Sequence, residues 1–323
     1  MKLWQSAMIG LARSKSITGL MQGNRLMRGL AGRFVGGDSS SAAVKKSSEL
    51  SGLAATTSLY YLGEYVESPA IIEENVAQLA ATIEQLGQSK LDVHISIDPT
   101  QIGYAHSDAL GEANALRLGK LIAQQPESGR RRLAMLDMED FSVVQKTLDL
   151  RARMAQAGYP TGITIQAYLH RSAADLRDLI KAEAAAVRLV KGAFAESRDH
   201  AWIGRADISR EFLSGAAVLL SAEAKTCGVY PIFATHDDEM IQAIVELARQ
   251  NQRSKDEYEF EMLLGVREPL QHSLIAEGYR LRLYLPFGTD WWPYTVRRIG
   301  ENPANARFVL NALRGDKSRP PRK

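Results

Sequence analysis

The 323-residue sequence has little of several features that would point to a class of protein. Its single cysteine, Cys227, excludes an internal disulfide bond or a cysteine zinc cluster and suits a reducing compartment. No apolar run is long enough for a transmembrane helix. The net charge of +3 is too small at this length to indicate a nucleic-acid partner. With 45% hydrophobic residues, the composition predicts a folded protein with a sizeable core.

Acidic residues are missing from the first 37 positions, which carry six lysines and arginines. This composition fits both a mitochondrial transit peptide and an amphipathic helical arm. The other end, residues 314–323, carries five basic residues and predicts either a basic flexible tail that touches anionic lipid or a disordered solubilising tail. We expect a cytoplasmic protein with peripheral contact to the inner face of the membrane.

Short β-rich runs alternate with helical segments through most of the chain, with room for one strand, one helix and two loops in each repeat. Because no G-x-G-x-x-G follows any of these runs, a closed (βα)8 barrel is favoured over a dinucleotide-binding sheet. Polar residues at the strand ends agree with this, since the carboxyl ends of barrel strands meet at one face. The predicted strands are 91–97, 132–138, 162–168, 185–192, 229–235, 258–264 and 280–286.

The eighth strand is not evident in the sequence. The segment where it might be sought, 286–300, has a helical pattern with Pro293 suited to a first turn. "GGDSSSA" (36–42) predicts a break followed by a capped helix, and a second helix is predicted from about Ile71 to Leu86. We therefore divide the chain into an N-terminal helical arm (1–86), a barrel (87–313) and a tail (314–323).

The segment "WWPYTVRRIGEN" places a tyrosine, two arginines and a glutamate on one broad helical face. Tyr294 precedes Arg297 and Arg298 by one turn, and Glu301 follows them by one turn. Guanidinium groups bind carboxylates in bidentate geometry, and an adjacent ring packs on an apolar body. This face predicts a small acid with an apolar part as ligand, unless it is an ordinary solvated helix.

Two basic residues in "AAAVRLVKGAF" stand out. Arg188 lies within an apolar run, so it must meet a buried carboxylate, a phosphate or an electron-rich cofactor. Lys191 at the strand end is open to Schiff-base chemistry, phosphate binding or a salt bridge.

Acids, an amide and a histidine follow other strands. Asp98, Asp137, Glu139 and His236 form a possible metal-ligand set, although no H-x-H or H-E-x-x-H spacing supports it. A metal-dependent barrel lyase or hydrolase is therefore a rival hypothesis, and a non-catalytic membrane-associated or regulatory protein is another. Gln166 is an amide suited to the edge of a heterocycle.

Several motifs together resemble the proline dehydrogenase family, particularly its bacterial single-function members. They are "YYLGEYV", "TIQAYL", "AVRLVKGAF", "FATHD", "YEFEMLLG" and "RLRLYLPFGTDWWPYTVRRIGENPAN", in the family's order. The resemblance implies a distorted (βα)8 barrel that binds FAD without a Rossmann fold, with the last helix over the barrel mouth. The implied reaction is hydride transfer from L-proline to flavin N5, giving 1-pyrroline-5-carboxylate, with electrons passed to membrane quinone.

Site roles follow from this resemblance by position. Arg297 and Arg298 resemble the pair that binds the proline carboxylate, Tyr284 and Tyr294 resemble the residues that pack on the ring, and Glu301 resembles the partner of the first arginine. The resemblance also implies that Asp137 and Leu263 belong to the pocket. The implied FAD contacts are Gln166, Arg188, Val190, Lys191, Gly192, Thr235 and His236.

Two acids depart from the family pattern. Asp98 in "SIDPTQIG" stands where the family has a lysine for the substrate carboxylate, and Glu261 stands where glutamine is common. Three interpretations stay open. Asp98 pairs with Arg297 or Arg298 and slows proline oxidation; it binds a hydroxyl, amine or cation on a different cyclic amine or amino acid; or the chain retains FAD with little activity.

Overall fold

The computed structural model describes residues 29, 31–63, 66–127, 130–183 and 186–301, without the side chains of residues 297 and 299–301. Eight parallel strands form a closed barrel in chain order, and β1 pairs with both β2 and β8. The strands are β1 Thr56–Tyr61, β2 Val93–Ile97, β3 Arg132–Leu136, β4 Thr161–Gln166, β5 Ala186–Val190, β6 Tyr230–Ala234, β7 Glu259–Leu263 and β8 Leu281–Phe287. The predicted (βα)8 barrel is confirmed, and the seven predicted strands correspond to β2–β8.

The strand that the sequence did not reveal is the first of the barrel, and the helical pattern of the segment where it might be sought is confirmed. The strand lies at Thr56–Tyr61, inside the range that we assigned to the helical arm, whereas residues 291–301 are helical. The barrel therefore includes residues before position 87. The sequence "TTSLYY" hides this strand because its inward positions carry Ser58 and Tyr60, which bind polar groups inside the barrel.

Helices surround the barrel and shield its outer surface. They are α1 Ser40–Ser51, α2 Pro69–Gln88, α3 Asp108–Ala123, α4 Val144–Gln156, α5 Ser172–Lys181, α6 Arg205–Leu220, α7 Ala222–Thr226, α8 Asp238–Gln250, α9 Glu268–Ala276 and α10 Trp291–Glu301. The predicted capped helix is α1, where the Ser39 hydroxyl accepts the amide of Ala42. The second predicted helix is α2. No helix of the described ranges is both long enough and apolar enough to cross a bilayer.

The main apolar core lies between the outer face of the strands and these helices. Inside the barrel the apolar cluster is small, formed by Leu133, Met135, Ala186 and Ile232 with Tyr230 at its edge. Much of the remaining interior is polar. Near the amino ends of the strands, Arg282 is fully buried and binds Glu259, Asp92 and the carbonyl of Thr57.

A third cluster joins the described end of the N-terminal arm to the last helix. Ala31, Phe34 and Val35 pack with Tyr60 and with Trp291 and Trp292 of α10. The amide of Gly36 donates to the carbonyl of Pro286, and the amide of Gly288 donates to the carbonyl of Gly37. These contacts fix residues 31–37 beside the carboxyl end of β8. Residues 1–28 and the predicted tail lie outside the described residues.

Candidate active site

A cavity of about 430 Å³ opens at the carboxyl ends of the strands. Predicted site residues from seven strands, β2–β8, and their following loops line it, and Tyr294 and Arg298 of α10 line it from above. The described predicted residues in the lining are Asp98, Asp137, Gln166, Arg188, Val190, Lys191, Gly192, His236, Leu263, Tyr284, Tyr294 and Arg298. The last helix therefore lies at the barrel mouth, as expected.

Arg188 is the centre of a buried ion cluster inside the barrel. Its Nε donates to Glu261 Oε2 at 2.5 Å, its Nη2 donates to Glu261 Oε1 at 3.0 Å and to Ser96 at 2.9 Å, and its Nη1 donates to Asp137. Burial alone would lower the pKa of Arg188, but Glu261 and Asp137 raise it above its usual value. Of the three kinds of partner that the sequence left open for Arg188, the structure shows the buried carboxylate, and it shows two of them.

Glu261 is 2% exposed, so its charged form is stabilised mainly by this cluster. Burial raises the pKa of Glu261, and the charge of Arg188 and the hydrogen bond from Ser58 oppose that increase only in part. Ser58 lies on β1, the strand that the sequence pattern did not reveal.

Asp137 connects the cluster to the aromatic wall of the cavity. The hydroxyl of Tyr284 donates to Asp137 Oδ2 at 2.8 Å, and Thr164 donates to Asp137 Oδ1 at 3.1 Å. Burial and the nearby charge of Asp137 raise the pKa of Tyr284 well above its usual value, so this hydroxyl stays protonated. The Tyr284 ring lies 5.5 Å from the Tyr60 ring, between centroids.

Asp98 follows β2 directly and lies at the mouth, 7% exposed. The hydroxyl of Tyr60 donates to Asp98 Oδ2 at 2.6 Å. Such a short bond from a neutral donor stabilises the charged carboxylate and fixes its position. Asp98 and Glu261, the two departures from the family pattern, thus both belong to the same cavity.

Helix α10 contributes a cation beside a ring. The guanidinium carbon of Arg298 lies 5.3 Å from the centroid of the Tyr294 ring. Arg297 and Glu301 belong to the same helix, but their side chains lie outside the described part of the chain, so their predicted roles stay predictions.

Most residues predicted to contact a cofactor lie on one side of the cavity. Gln166 Nε2 donates to the carbonyl of Glu139 at 2.8 Å, and Lys191 Nζ binds Asp237 at 2.8 Å and Ser209 at 3.2 Å. Of the three roles open for Lys191, the salt bridge is present. Gly192 has φ of +114°, and a Cβ there would lie 2.2 Å from the Tyr168 ring, so only glycine fits.

An adjoining cavity of about 580 Å³ is lined by Lys191, Thr235 and His236 and by residues at the start of α8. His236 Nε2 accepts the amide of Leu263 at 2.9 Å. Burial and then the charges of Arg298 and Arg267 lower the pKa of His236 to about 4, so the ring is neutral near pH 7. The Thr235 hydroxyl accepts the amide of Asp237 at 3.2 Å.

The rival metal-ligand set is not assembled. Asp137 binds Arg188, His236 accepts a backbone amide, and Glu139 accepts both the amide and the hydroxyl of Thr100. Within the described ranges, no three His, Cys, Asp or Glu side chains form a group that could hold a metal ion.

The sequence interpretation missed four side chains that organise the cavity: Ser58, Tyr60, Ser96 and Thr164. All are hydroxyl residues that point into the barrel from β1, β2 or β4. Polar residues at alternate strand positions were the available signal, as with Ser58 and Tyr60 in "TSLYY" and with His94 and Ser96 in "HISI".

Comparisons with known proteins agree with this architecture. A family model described as proline dehydrogenase matches residues 43–311. Proline dehydrogenase 1 of Bacillus subtilis (strain 168) is 35% identical over 305 residues, covering 94% of this chain and 96% of that protein. The proline dehydrogenase of Deinococcus radiodurans is 34% identical over 319 residues, covering 97% of this chain and 98% of that protein.

A solved structure supports the fold. Proline utilization A from Bdellovibrio bacteriovorus, inactivated by N-propargylglycine, superposes with a TM-score of 0.76 at 24% identity. The match covers 90% of this chain and 34% of that chain, so this protein spans about a third of that longer one. The fold, the mouth and these relatives define an oxidoreductase built on a (βα)8 barrel. The chain belongs to the proline dehydrogenase family.

Proposed function

We propose that this protein is an FAD-dependent oxidoreductase that oxidises a cyclic amino acid, with L-proline as the first candidate. The observation that carries the proposal is the pairing of Tyr294 and Arg298 on α10, above Tyr284 of β8 at the same cavity. A ring beside a guanidinium suits a small apolar ring that bears a carboxylate. The membership of the chain in the proline dehydrogenase family supports the same reaction.

The residues at the mouth fit FAD in their chemistry. Val190, Met262 and Leu263 supply apolar surface, Gln166 supplies a buried amide, and Lys191 supplies a cation where the two cavities meet. The two cavities, of about 430 and 580 Å³, share Lys191 and His236 and provide room for a dinucleotide larger than the substrate. Bound FAD would supply the acceptor for two electrons, a task that no side chain of the cavity can perform.

The reaction removes a hydride from the ring carbon next to nitrogen and a proton from that nitrogen, so a C=N bond forms. With L-proline the product is 1-pyrroline-5-carboxylate. We assign carboxylate binding to Arg298, together with Arg297 and its partner Glu301 on the basis of the family resemblance. Tyr284 and Tyr294 pack on the ring and exclude water, and the ion cluster of Arg188 holds the floor of the cavity rigid.

Quinone is the proposed electron acceptor. We also propose that the protein is cytoplasmic and that its basic arm and tail make peripheral contact with an anionic membrane. Reoxidation of the reduced enzyme by a soluble quinone analogue tests the first idea. Pelleting with anionic and with neutral vesicles, before and after removal of residues 314–323, tests the second.

The central experiment is anaerobic bleaching of the purified yellow protein by L-proline. Arg298→Met should raise the KM for L-proline about 10- to 100-fold, because a charge-assisted hydrogen bond contributes about 1.5–3 kcal/mol. The matched control, Arg177→Met, changes an exposed arginine on α5 and should leave KM unchanged. A preparation without bound flavin, or a flavin that no cyclic amine bleaches, would refute the proposal.

A further inference from the structure

A separate cavity, which we call the amino-end cavity, lies at the end of the barrel opposite to the mouth. Its volume is about 480 Å³, and its lining comes from the starts of β1, β2, β3, β7 and β8 and the residues just before them. The charged residues in this lining are Asp92, Arg130, Arg131, Glu259, Arg280 and Arg282. Because the chemistry of (βα)8 enzymes takes place at the carboxyl ends of the strands, the proposed oxidation does not account for this cavity.

One arginine holds both carboxylates of this lining. Arg282 Nη2 donates to Asp92 Oδ2 at 2.9 Å and to Glu259 Oε2 at 3.3 Å, and Arg282 Nε donates to the other oxygen of Glu259. Asp92 Oδ1 accepts the backbone amide of Arg131 at 2.9 Å. Within the described ranges, neither carboxylate forms an ion pair with the side chain of Arg131 or Arg280. The charges of Asp92 and Glu259 are therefore balanced mainly by Arg282.

Arg131 lies on the face of an aromatic ring at this cavity. Its guanidinium carbon is 3.5 Å from the centroid of the Tyr230 ring. In the part of the chain that the structure describes, the side chain of Arg131 forms no hydrogen bond or ion pair, since only its backbone groups are bonded. The N–H groups of a guanidinium point outward in its own plane, so contact with a ring leaves them able to donate to a ligand. Arg131 therefore offers unused donors to the amino-end cavity.

Arg280 contacts the same tyrosine at its hydroxyl group. It hydrogen-bonds the Tyr230 hydroxyl, which in turn donates to Glu259 Oε2 at 3.4 Å. Arg280 is exposed, and its charge acts on Asp256 without an ion pair between the two residues. Two guanidinium groups on one side chain repel each other, and an anion between them replaces that repulsion with attraction to both. Tyr230 thus holds two cations in place at one cavity.

We propose that the amino-end cavity binds a phosphate dianion between Arg131 and Arg280. Guanidinium groups match phosphate oxygens in bidentate geometry, and two cations match two negative charges. The cavity volume of about 480 Å³ has room for a small phosphate ester as well as for the free ion. Arg131 precedes β3 and Arg280 precedes β8, which are not neighbours in the barrel, so the ligand would join distant strands. This inference does not depend on the proposed oxidation.

The test is isothermal titration calorimetry of the full chain as purified, with inorganic phosphate and with glycerol 3-phosphate, at pH 8 and constant ionic strength. Acetate and chloride, which carry one charge, are the comparison anions. At least one of the two phosphates should bind about tenfold or more tightly than either comparison anion. It should also raise Tm, because a ligand of the folded state stabilises that state. Tighter binding of glycerol 3-phosphate would identify an ester as the ligand, and the reverse order would identify the free ion.

Two variants locate the site. Arg131→Gln and Arg280→Gln should each weaken phosphate binding about 10- to 100-fold, because each removes a charge-assisted hydrogen bond. The matched control, Arg177→Gln, removes an exposed arginine on α5 and should bind phosphate like the wild type. Circular dichroism establishes that each variant is folded. If Arg131→Gln does not fold, Arg280→Gln still decides the question, because the side chain that it changes is exposed.

Three results would overturn the inference. Neither phosphate could bind more tightly than chloride, Arg280→Gln could keep the wild-type affinity, or Arg177→Gln could weaken binding as much as Arg280→Gln, which would show a general attraction to basic surface. Failure of the proposed function is distinguishable from all three. In that case no cyclic amine would bleach the protein, whereas phosphate would still bind and Arg280→Gln would still weaken it.

Discussion

Replacing Arg188 with methionine tests the claim that one guanidinium holds two buried carboxylates. The change keeps an unbranched apolar side chain of comparable length but removes the donors to Glu261, Asp137 and Ser96. Glu261 and Asp137 are 2% and 9% exposed, so neither gains a substitute counter-ion from solvent. Removing one partner of such a buried group lowers the free energy of unfolding by about 3–5 kcal/mol.

The pH dependence of this loss has a definite sign. Arg188 lowers the pKa of Glu261, so its removal raises a pKa that burial already holds above the usual value. When the pKa of a carboxyl group is higher in the folded than in the unfolded state, its contribution to the free energy of unfolding is fully present at low pH. That contribution is lost as pH rises through the folded pKa. The loss of unfolding free energy caused by Arg188→Met should therefore be larger at pH 8 than at pH 5.

Urea denaturation of the apoprotein at both pH values measures these differences. Adding Glu261→Gln to Arg188→Met should restore about half of the loss, because Asp137 keeps its bonds from Tyr284 and Thr164. The control Arg117→Met breaks an exposed pair with Glu73 and should change the free energy of unfolding by less than about 1 kcal/mol. A loss for Arg188→Met no larger than that of the control, or one independent of pH, would refute the reasoning.

Two further predictions concern a partly buried histidine and a tightly packed glycine. The pKa of His236 is lowered from 6.5 to about 4, so its neutral ring contributes stability above pH 6.5 that is lost as pH falls toward 4. The difference in unfolding free energy between wild type and His236→Gln should narrow by about 2 kcal/mol from pH 7 to pH 5, and a constant difference would contradict this. Gly265 and Gly278 both have positive φ, +73° and +80°, but they differ in the space around them. A Cβ at Gly265 would lie 2.0 Å from the carbonyl oxygen of Arg33, whereas a Cβ at Gly278 would meet no atom within 4 Å. Both alanine variants should lose about 1 kcal/mol from backbone strain, but only Gly265→Ala should also expose residues 31–37 to limited proteolysis; equal protease sensitivity would count against that packing.

The sequence was most informative where strands have an apolar character. Periodic β-rich runs predicted β2–β8 because their outward residues pack against helices. Strand β1 was missed because its inward positions serve the site rather than the core. Ser58 binds Glu261 and Tyr60 binds Asp98, so polarity there reflects partners far away in the sequence.

The candidate site was predicted as a set of residues, but not as a network. The position of Arg188 in an apolar run indicated a buried partner, and the family resemblance implied that Asp137 and Tyr284 belong to the same pocket. That Arg188 binds two carboxylates at once could not be predicted, because it depends on how β3, β5 and β7 face one another inside the barrel. For Arg297, Glu301 and the basic termini, the predictions remain as they were.

The pairing of β1 with β8 has a consequence for how the protein is made. Thr56 donates to the carbonyl of Leu281, a contact between residues 225 positions apart in sequence. Contacts of such high sequence separation form late, because a long loop must close before they stabilise the chain. During synthesis, both edges of β1 cannot be paired until β8 has left the ribosome. Because Ser58 and Tyr60 lie on this seam, the same closing step that completes the barrel brings Tyr60 beside Tyr284 and Ser58 to Glu261.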